Sequence, residues 1–207
     1  MSDDDWYGHW AARTPQDVAA LFAGYQGRWW VAGGWCLEAF TGVSRRHDDI
    51  DVEVLRQDLP LLRRHLAGRF HTWAVGSGML LAVYPGDRPD AVADEVLFEG
   101  CGQMWLRRGA YELWEYDVQF NLGSADHWAY KRDPSLTRPW SEVLWQRDGI
   151  WYLQPEIQLL YKAKGLRDKD IDDFEATLPH LDRTRRHWLA TSIERTLPDH
   201  PWLAELS

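Results

Sequence analysis

From Asp49 to Val54 the chain reads acid, apolar, acid, apolar, acid, apolar: Asp49, Ile50, Asp51, Val52, Glu53, Val54. Side chains on a β-strand alternate between faces with a period of two. The pattern therefore predicts a strand over 49–55 with Ile50, Val52 and Val54 on a core face. Asp49, Asp51 and Glu53 share the other face. A fold tolerates that much negative charge only if it is solvated, paired or holding a cation. An acidic solvent face on an edge strand satisfies the first condition. A hard, oxygen-loving ion such as magnesium satisfies the last.

Just upstream stands Trp30-Val31-Ala32-Gly33-Gly34-Trp35. Residues 28–32 are aromatic and β-branched and read as a strand. Trp35 to Phe40 reads as a short helix closed by Gly42. A strand, a glycine turn and a helix start together form a place where backbone N–H groups can face an anion. A Gly-Gly pair alone is more often simply a turn. Before it, Thr14-Pro15-Gln16-Asp17 is a helix start, with Val18, Leu21, Phe22 and Tyr25 at helical spacing and Gly27 as the stop.

After the acidic strand, Leu59 to Leu66 reads as a helix with Arg63 and Arg64 solvated. Phe70–Val75 and Met79–Tyr84 read as a hairpin across Gly76-Ser77-Gly78, and Pro85–Asp94 as a loop. Met104–Arg107, Tyr111–Leu122 and Trp128–Arg132 are further strand candidates. In the second of these, Glu115, Asp117 and Gln119 alternate with Tyr116, Val118 and Phe120. Asp133–Trp140 holds two prolines and reads as an irregular crossing.

From Pro155 the period changes to 3.6. In Pro155-Glu156-Ile157-Gln158-Leu159-Leu160-Tyr161-Lys162-Ala163-Lys164, the helical phase places Lys164 on the apolar side and Lys162 further outward. A second helix carries Ile171, Phe174 and Leu178 inward, with Asp170, Asp172, Asp173 and Glu175 mostly outward. A third runs over about 183–197. The chain thus divides by pattern into residues 1–149, mixed strands and helices, and residues 150–207, a small helical subdomain.

Composition narrows the function. Of 207 residues 14 are Trp, mostly bulky filler in the core, with a few free to line a cleft and stack on flat ligands. The formal net charge is −9 and no Lys/Arg run forms a phosphate-backbone footprint, so long nucleic acid is not an expected partner. Cys36 and Cys101 make no CxxC or zinc spacing. The acidic start Met1-Ser2-Asp3-Asp4-Asp5 lacks a signal-peptide core, and the apolar run 78–84 is too short to span a membrane. A cytoplasmic protein, monomeric or a small homo-oligomer, is expected. No HExxH, GxSxG, Walker loop or Rossmann fingerprint occurs, which argues against metalloprotease, hydrolase, kinase and dehydrogenase chemistry.

Three carboxylates, Asp49, Asp51 and Asp117, on neighbouring strands can hold two Mg2+ ions over a phosphate, and the glycine turn can hold the rest of a triphosphate. Such a site suits in-line nucleotidyl transfer. A substrate hydroxyl attacks the α-phosphorus of a nucleoside triphosphate and pyrophosphate leaves. Asp117 is a metal ligand or the general base for that hydroxyl. His47 contacts a phosphate or simply shapes the loop, and Arg45 and Arg46 meet phosphate or pair with local acids such as Asp48.

The glycine turn followed by Arg46-His47-Asp48-Asp49-Ile50-Asp51 resembles the nucleotidyltransferase superfamily that includes DNA polymerase β. It looks closest to the branch of aminoglycoside 2''-O-nucleotidyltransferases and lincosamide nucleotidyltransferases. The tail 155–164 with Lys169-Asp170 and Asp173-Phe174 also resembles uncharacterised bacterial members. The resemblance implies an α/β (α+β) fold, a nucleotidyltransferase-type mixed sheet with flanking helices and a C-terminal helical subdomain. It implies that Asp49, Asp51 and Asp117 are metal ligands and catalytic acids. Gly33, Gly34, Trp35, Arg46, His47, Lys162 and Lys164 would meet the nucleotide. Trp35 stands where many members have serine, which bears on one phosphate hydrogen bond and fits the aminoglycoside branch. ATP or another NTP is the implied co-substrate.

The implied acceptor is a small hydroxyl-bearing, cationic molecule, to which Glu53, Glu112 and Glu115 would offer charge. Two other readings stay open: a toxin–antitoxin or defence-type enzyme that modifies a protein or tRNA, and a non-catalytic nucleotide-binding module.

Overall fold

The computed structural model describes residues 7–84 and 90–206. The acidic start 1–5 and the first half of the expected 85–94 loop lie outside the described residues. The chain forms two compact units, each drawn from two stretches. One comprises Met1–Val31 with His47–Leu122, and the other Ala32–Arg46 with Gly123–Ser207.

In the first unit, α1 (Pro15–Leu21) starts as expected, with Thr14 and Asp17 forming a reciprocal capping box. It ends earlier than Gly27, and the chain turns through Gly24 at φ 78°. The strands are β1 (Trp29–Val31), β2 (Asp51–Leu55), β3 (His71–Gly76), β4 (Met79–Val83), β5 (Gln103–Arg107) and β6 (Tyr116–Gly123). Their order is β4-β3-β5-β6-β2-β1. Every neighbouring pair is antiparallel except β2 with β6, which is parallel. β3 and β4 make the expected hairpin. Ser77 (φ 50°) and Gly78 (φ 74°) both take left-handed conformations, the pair that a tight two-residue hairpin turn requires.

The register puts Val52, Val54, Val118, Phe120, Met104, Leu106 and Ala74 on one face, all buried. Val18, Leu21 and Phe22 of α1 and its C-cap, and Leu59, Leu62 and Leu66 of α3 (Leu59–Leu66), complete this core. Phe22 stacks on Trp29 at 5.3 Å and on His65 at 5.9 Å. Arg63 is buried rather than solvated, because its guanidinium reaches the Tyr84 carbonyl at 3.1 Å.

Several boundaries differ from expectation. β2 begins at Asp51, so Asp49 and Ile50 precede the strand, although the Ile50 carbonyl still accepts from Asp117 N at 3.3 Å. β6 begins at Tyr116, not Tyr111. Residues 111–115 instead bend so that Trp114 bridges to Trp10. The loop after residue 89 ends at a short helix, α4 (Ala93–Val96).

In the second unit, α2 (Gly33–Thr41) is capped by Gly42 at φ 76°. β7 (His127–Tyr130) pairs antiparallel with β8 (Asp133–Pro139), so the expected irregular crossing is a strand. Among the described residues β8 pairs with β7 alone, one proline ends it, and the register shifts near its start. An edge strand with an irregularity tolerates missing N–H donors. A second hairpin, β9 (Leu144–Arg147) with β10 (Ile150–Leu153), turns at Asp148-Gly149, both left-handed. Sequence periodicity gave no sign of either strand. Four helices follow: α5 (Pro155–Ala163), α6 (Asp168–Thr177), α7 (Arg183–Thr196) and α8 (Leu203–Leu206). Cys36 and Cys101 are buried and not joined in a disulfide. Among the described residues no helix is long and apolar enough to cross a membrane.

Candidate active site

The parallel register of β2 and β6 sets Asp51 opposite Asp117 and Glu53 opposite Gln119. Matched side chains on adjacent strands leave the sheet on the same side, here the side opposite the Val52/Val118 core. Gln119 donates through Nε2 to Asp51 Oδ1 at 3.3 Å and to Asp117 Oδ2 at 3.1 Å. Two carboxylates thus converge on one electropositive N–H2 group. Asp117 is only 6% exposed, so a fold that places it beside a second carboxylate must neutralise the pair. β2 is buried along nearly its whole length between β6 and β1, which excludes a solvated edge strand.

Asp49 lies outside this pair, half-buried in the segment before β2. Among the described residues no group of three or more His, Cys, Asp or Glu side chains is gathered to hold a metal ion. The donor set at Asp51 and Asp117 is all oxygen and doubly anionic, which fits a hard divalent cation.

The other acids of the sequence pattern are spent elsewhere. Glu53 is 5% exposed and accepts a hydrogen bond from Nε1 of the fully buried Trp30. Glu115 is buried and paired with Arg13 at 2.6 Å and Arg108 at 3.1 Å. Both are therefore unavailable to attract an ammonium group. The cause is tertiary: each acid meets a donor far away in sequence. Glu112 alone of the three is exposed.

Beside Asp117, Trp105 is its partner on β5. Trp105 packs edge-on against Tyr7 (5.7 Å), Trp10 (5.1 Å) and Trp114 (5.4 Å). Arg107 lies over Trp114 at 4.4 Å and Trp73 at 5.0 Å. Several of the tryptophans are thus packed on one another on the carboxylate side of the sheet.

In the second unit, Gly33 opens α2 with φ 64°, a conformation that favours glycine. Its N–H donates to Gln158 Oε1 at 2.9 Å, and Cys36 Sγ approaches the same oxygen at 3.8 Å. Gly34 and Trp35 are half-buried on the first turn of α2. Arg46 is exposed and His47 half-buried.

Arg45 clasps Asp173 with both ends of its guanidinium, at 2.7 and 2.9 Å. Lys162 is 7% exposed and holds Asp170 at 3.0 Å and Asp173 at 2.9 Å. Arg167 closes on Asp170 from the other side at 2.7 Å. Lys162 is thus the inward lysine and Lys164 the exposed one, the reverse of the helical-phase expectation. α5 is buried on nearly every side, so its phase did not distinguish an apolar stripe. Asp170 and Asp173 are likewise inward while Ile171 is 37% exposed. Burial alone would raise both carboxyls. Hydrogen bonds and charge from Arg167 and Lys162 hold Asp170 at about 2, and those from Arg45 and Lys162 hold Asp173 below the ordinary range.

Gln158 and the buried acids of α6 escaped sequence analysis. The one signal for Gln158 was a polar residue between apolar positions on α5, a pattern that any helix with a solvated face also produces. Gln119 was visible by its two-residue spacing from Asp117.

Comparison with known proteins finds likenesses in sequence and in fold. A family model described as aminoglycoside-2''-adenylyltransferase matches residues 16–73, the segment that carries the glycine turn and the acidic strand. No curated protein sequence matches. Among solved structures, the lincosamide antibiotic adenylyltransferase LnuA, determined with lincomycin bound, superposes with a TM-score of 0.53 at 15% identity, covering 84% of this chain and 99% of that one. The antibiotic-resistance factor ANT(2'')-Ia superposes with a TM-score of 0.54 at 14% identity, covering 87% of this chain and 89% of that one. The chain thus shares the fold of these two antibiotic-modifying nucleotidyltransferases, and its residues 16–73, which hold the glycine turn and the acidic strand, resemble the aminoglycoside-2''-adenylyltransferase family.

Proposed function

We propose that this chain is a magnesium-dependent nucleotidyltransferase that moves AMP from ATP to a hydroxyl of a small, antibiotic-like acceptor. The observation that carries this reading is the Asp51–Asp117 pair, set side by side on β2 and β6 and bridged by Gln119. Asp51 lies within residues 16–73, the stretch that the adenylyltransferase family model matches, which supports the reaction class; Asp117 lies beyond that stretch. Asp49, Asp51 and Asp117 would hold divalent metal, two ions in this reading, and the metal would supply neutralisation of phosphate charge.

The remaining roles belong to the protein. The acceptor O–H loses its proton to a carboxylate, for which Asp117 is the candidate, as its oxygen bonds to the α-phosphorus. The bond from that phosphorus to the bridging oxygen breaks, and pyrophosphate leaves with the electron pair. Gly34, Trp35, Arg46, His47 and Lys164 are the proposed nucleotide contacts, with Gly33 opening the turn. Lys162, already paired to two aspartates, contributes by holding α5 and α6 in place. In this reading residues 1–149 form the catalytic domain and 150–207 the helical subdomain.

Incubation with Mg2+, α-labelled ATP and a panel of aminoglycosides and lincosamides tests the proposal. The expected product is an acceptor heavier by one nucleotidyl group, formed at a rate about a hundredfold lower or less in Asp51→Asn and Asp117→Asn. Absence of any nucleotidylated small molecule from the wild-type protein overturns it, and label transferred instead to protein or tRNA in a lysate favours the defence-type reading.

A further inference from the structure

We infer that Gln158 is the positioning residue of the glycine turn. It accepts the Gly33 N–H, so that the triphosphate is met by the amides that follow on α2 and not by Gly33 itself. This rests on the nucleotidyltransferase reading above.

Three observations converge. The Gly33 N–H and Gln158 Oε1 are 2.9 Å apart, and both residues are buried. Gly33 sits at φ 64°, so its N–H points where a regular first helical turn would not send it. The same Oε1 is approached by Cys36 Sγ at 3.8 Å, while Cys36 Sγ lies 3.2 Å from the Gly33 carbonyl. One amide oxygen of α5 thus secures both ends of the first turn of α2. Helix N-termini bind anions through N–H groups left unused by the helix. A protein oxygen already seated on the first of these fixes the turn before nucleotide arrives, and preorganised donors need no rearrangement on binding. Gln158 is 125 residues from Gly33 in sequence, so no local pattern announces the pair.

The inference is tested with two variants of the full-length protein and one measurement on the wild type. Gln158→Leu keeps the volume and removes the acceptor. It should raise the KM for ATP about tenfold to a hundredfold with kcat and the acceptor KM within about threefold, because a lost buried partner acts on nucleotide binding alone. Gln158→Glu, which keeps the acceptor oxygen, should retain the slow hydrogen exchange of the Gly33 amide that Gln158→Leu loses. In 15N-labelled wild type, addition of a non-hydrolysable ATP analogue with Mg2+ should shift the Gly34 and Trp35 amides and leave the Gly33 amide protected and unshifted. A Gly33 amide that exchanges freely in the wild type, a Gly33 amide that shifts most on nucleotide addition, or a Gln158→Leu protein with lower melting temperature but an unchanged ATP KM each overturns the inference. Because Gly33 exchange is read without ligand, a protein that binds no nucleotide refutes the nucleotidyltransferase reading separately from the Gly33–Gln158 contact.

Discussion

Glu53 and Trp30 occupy facing positions on β2 and β1, and each depends on the other. An indole N–H excluded from water must find an acceptor, and a carboxylate excluded from water must find a donor. The Trp30–Glu53 hydrogen bond satisfies both in a site where neither is more than 5% exposed. Trp30→Phe should therefore cost about 1–3 kcal/mol, since it strips a donor from a buried carboxylate. Urea unfolding of the two proteins measures this, and equal midpoints would show that Glu53 has enough other donors. The same pairing explains why alternation alone could not identify the catalytic acids. Asp51 and Glu53 share a face and a charge, but only Asp51 lies opposite a second carboxylate.

At the scale of elements, α5 and α6 are joined by a buried charge network, Arg45–Asp173–Lys162–Asp170–Arg167. Removing Lys162 takes the shared cation from between two buried carboxylates and leaves each with one partly exposed arginine, which costs more than the intact pair contributes. Lys162→Met should destabilise by about 3–5 kcal/mol, visible as a drop in melting temperature of roughly 6–20 °C. Lys164→Met, on the exposed end of the same helix, should change it little; similar losses in the two variants would contradict the network. The network also sets a pH dependence. Asp170 and Asp173 have carboxyls held below the ordinary value, Asp170 at about 2. Their stabilisation is fully present above the ordinary value near 3.8 and is lost as pH falls towards about 2. Unfolding free energy should fall over that window, and Asp170→Asn should flatten the fall. α6 shows why its sequence was misread: five acids in ten residues look like a solvated face until partners from α5 and from residue 45 are brought to two of them.

For the whole molecule, the proposed activity predicts linkage between ligand and stability. Mg2+ with a non-hydrolysable ATP analogue at a hundred times its dissociation constant should add about 2.7 kcal/mol to the unfolding free energy. The melting temperature should rise with concentration, and the rise should vanish in Asp51→Asn. A shift of equal size without metal would remove the carboxylates from nucleotide binding.

Much of the fold follows from local pattern. Alternation identified β2, β3, β4 and β5, capping and proline placed α1 and α5, and the glycines marked the turns, because these signals depend on neighbours within a few residues. β8 was missed because edge position, which excuses its prolines, is a property of the sheet. β9 and β10 are only four residues each, the first largely exposed and the second largely buried, so they show no clean period. By itself the sequence determined the superfamily motif, the Gly33–Gly34 turn and an acid-x-acid stretch with the chemistry it favours. Only the tertiary structure decided which acids stand together: it set Asp51 against Asp117, buried Glu53 and Glu115 in other pairs, turned Lys162 inward and brought Gln158 to Gly33. Charge and hydrogen bonding are settled by partners in space, and several of those partners lie far away along the chain, 125 residues for Gly33 and Gln158 and 102 for Arg13 and Glu115.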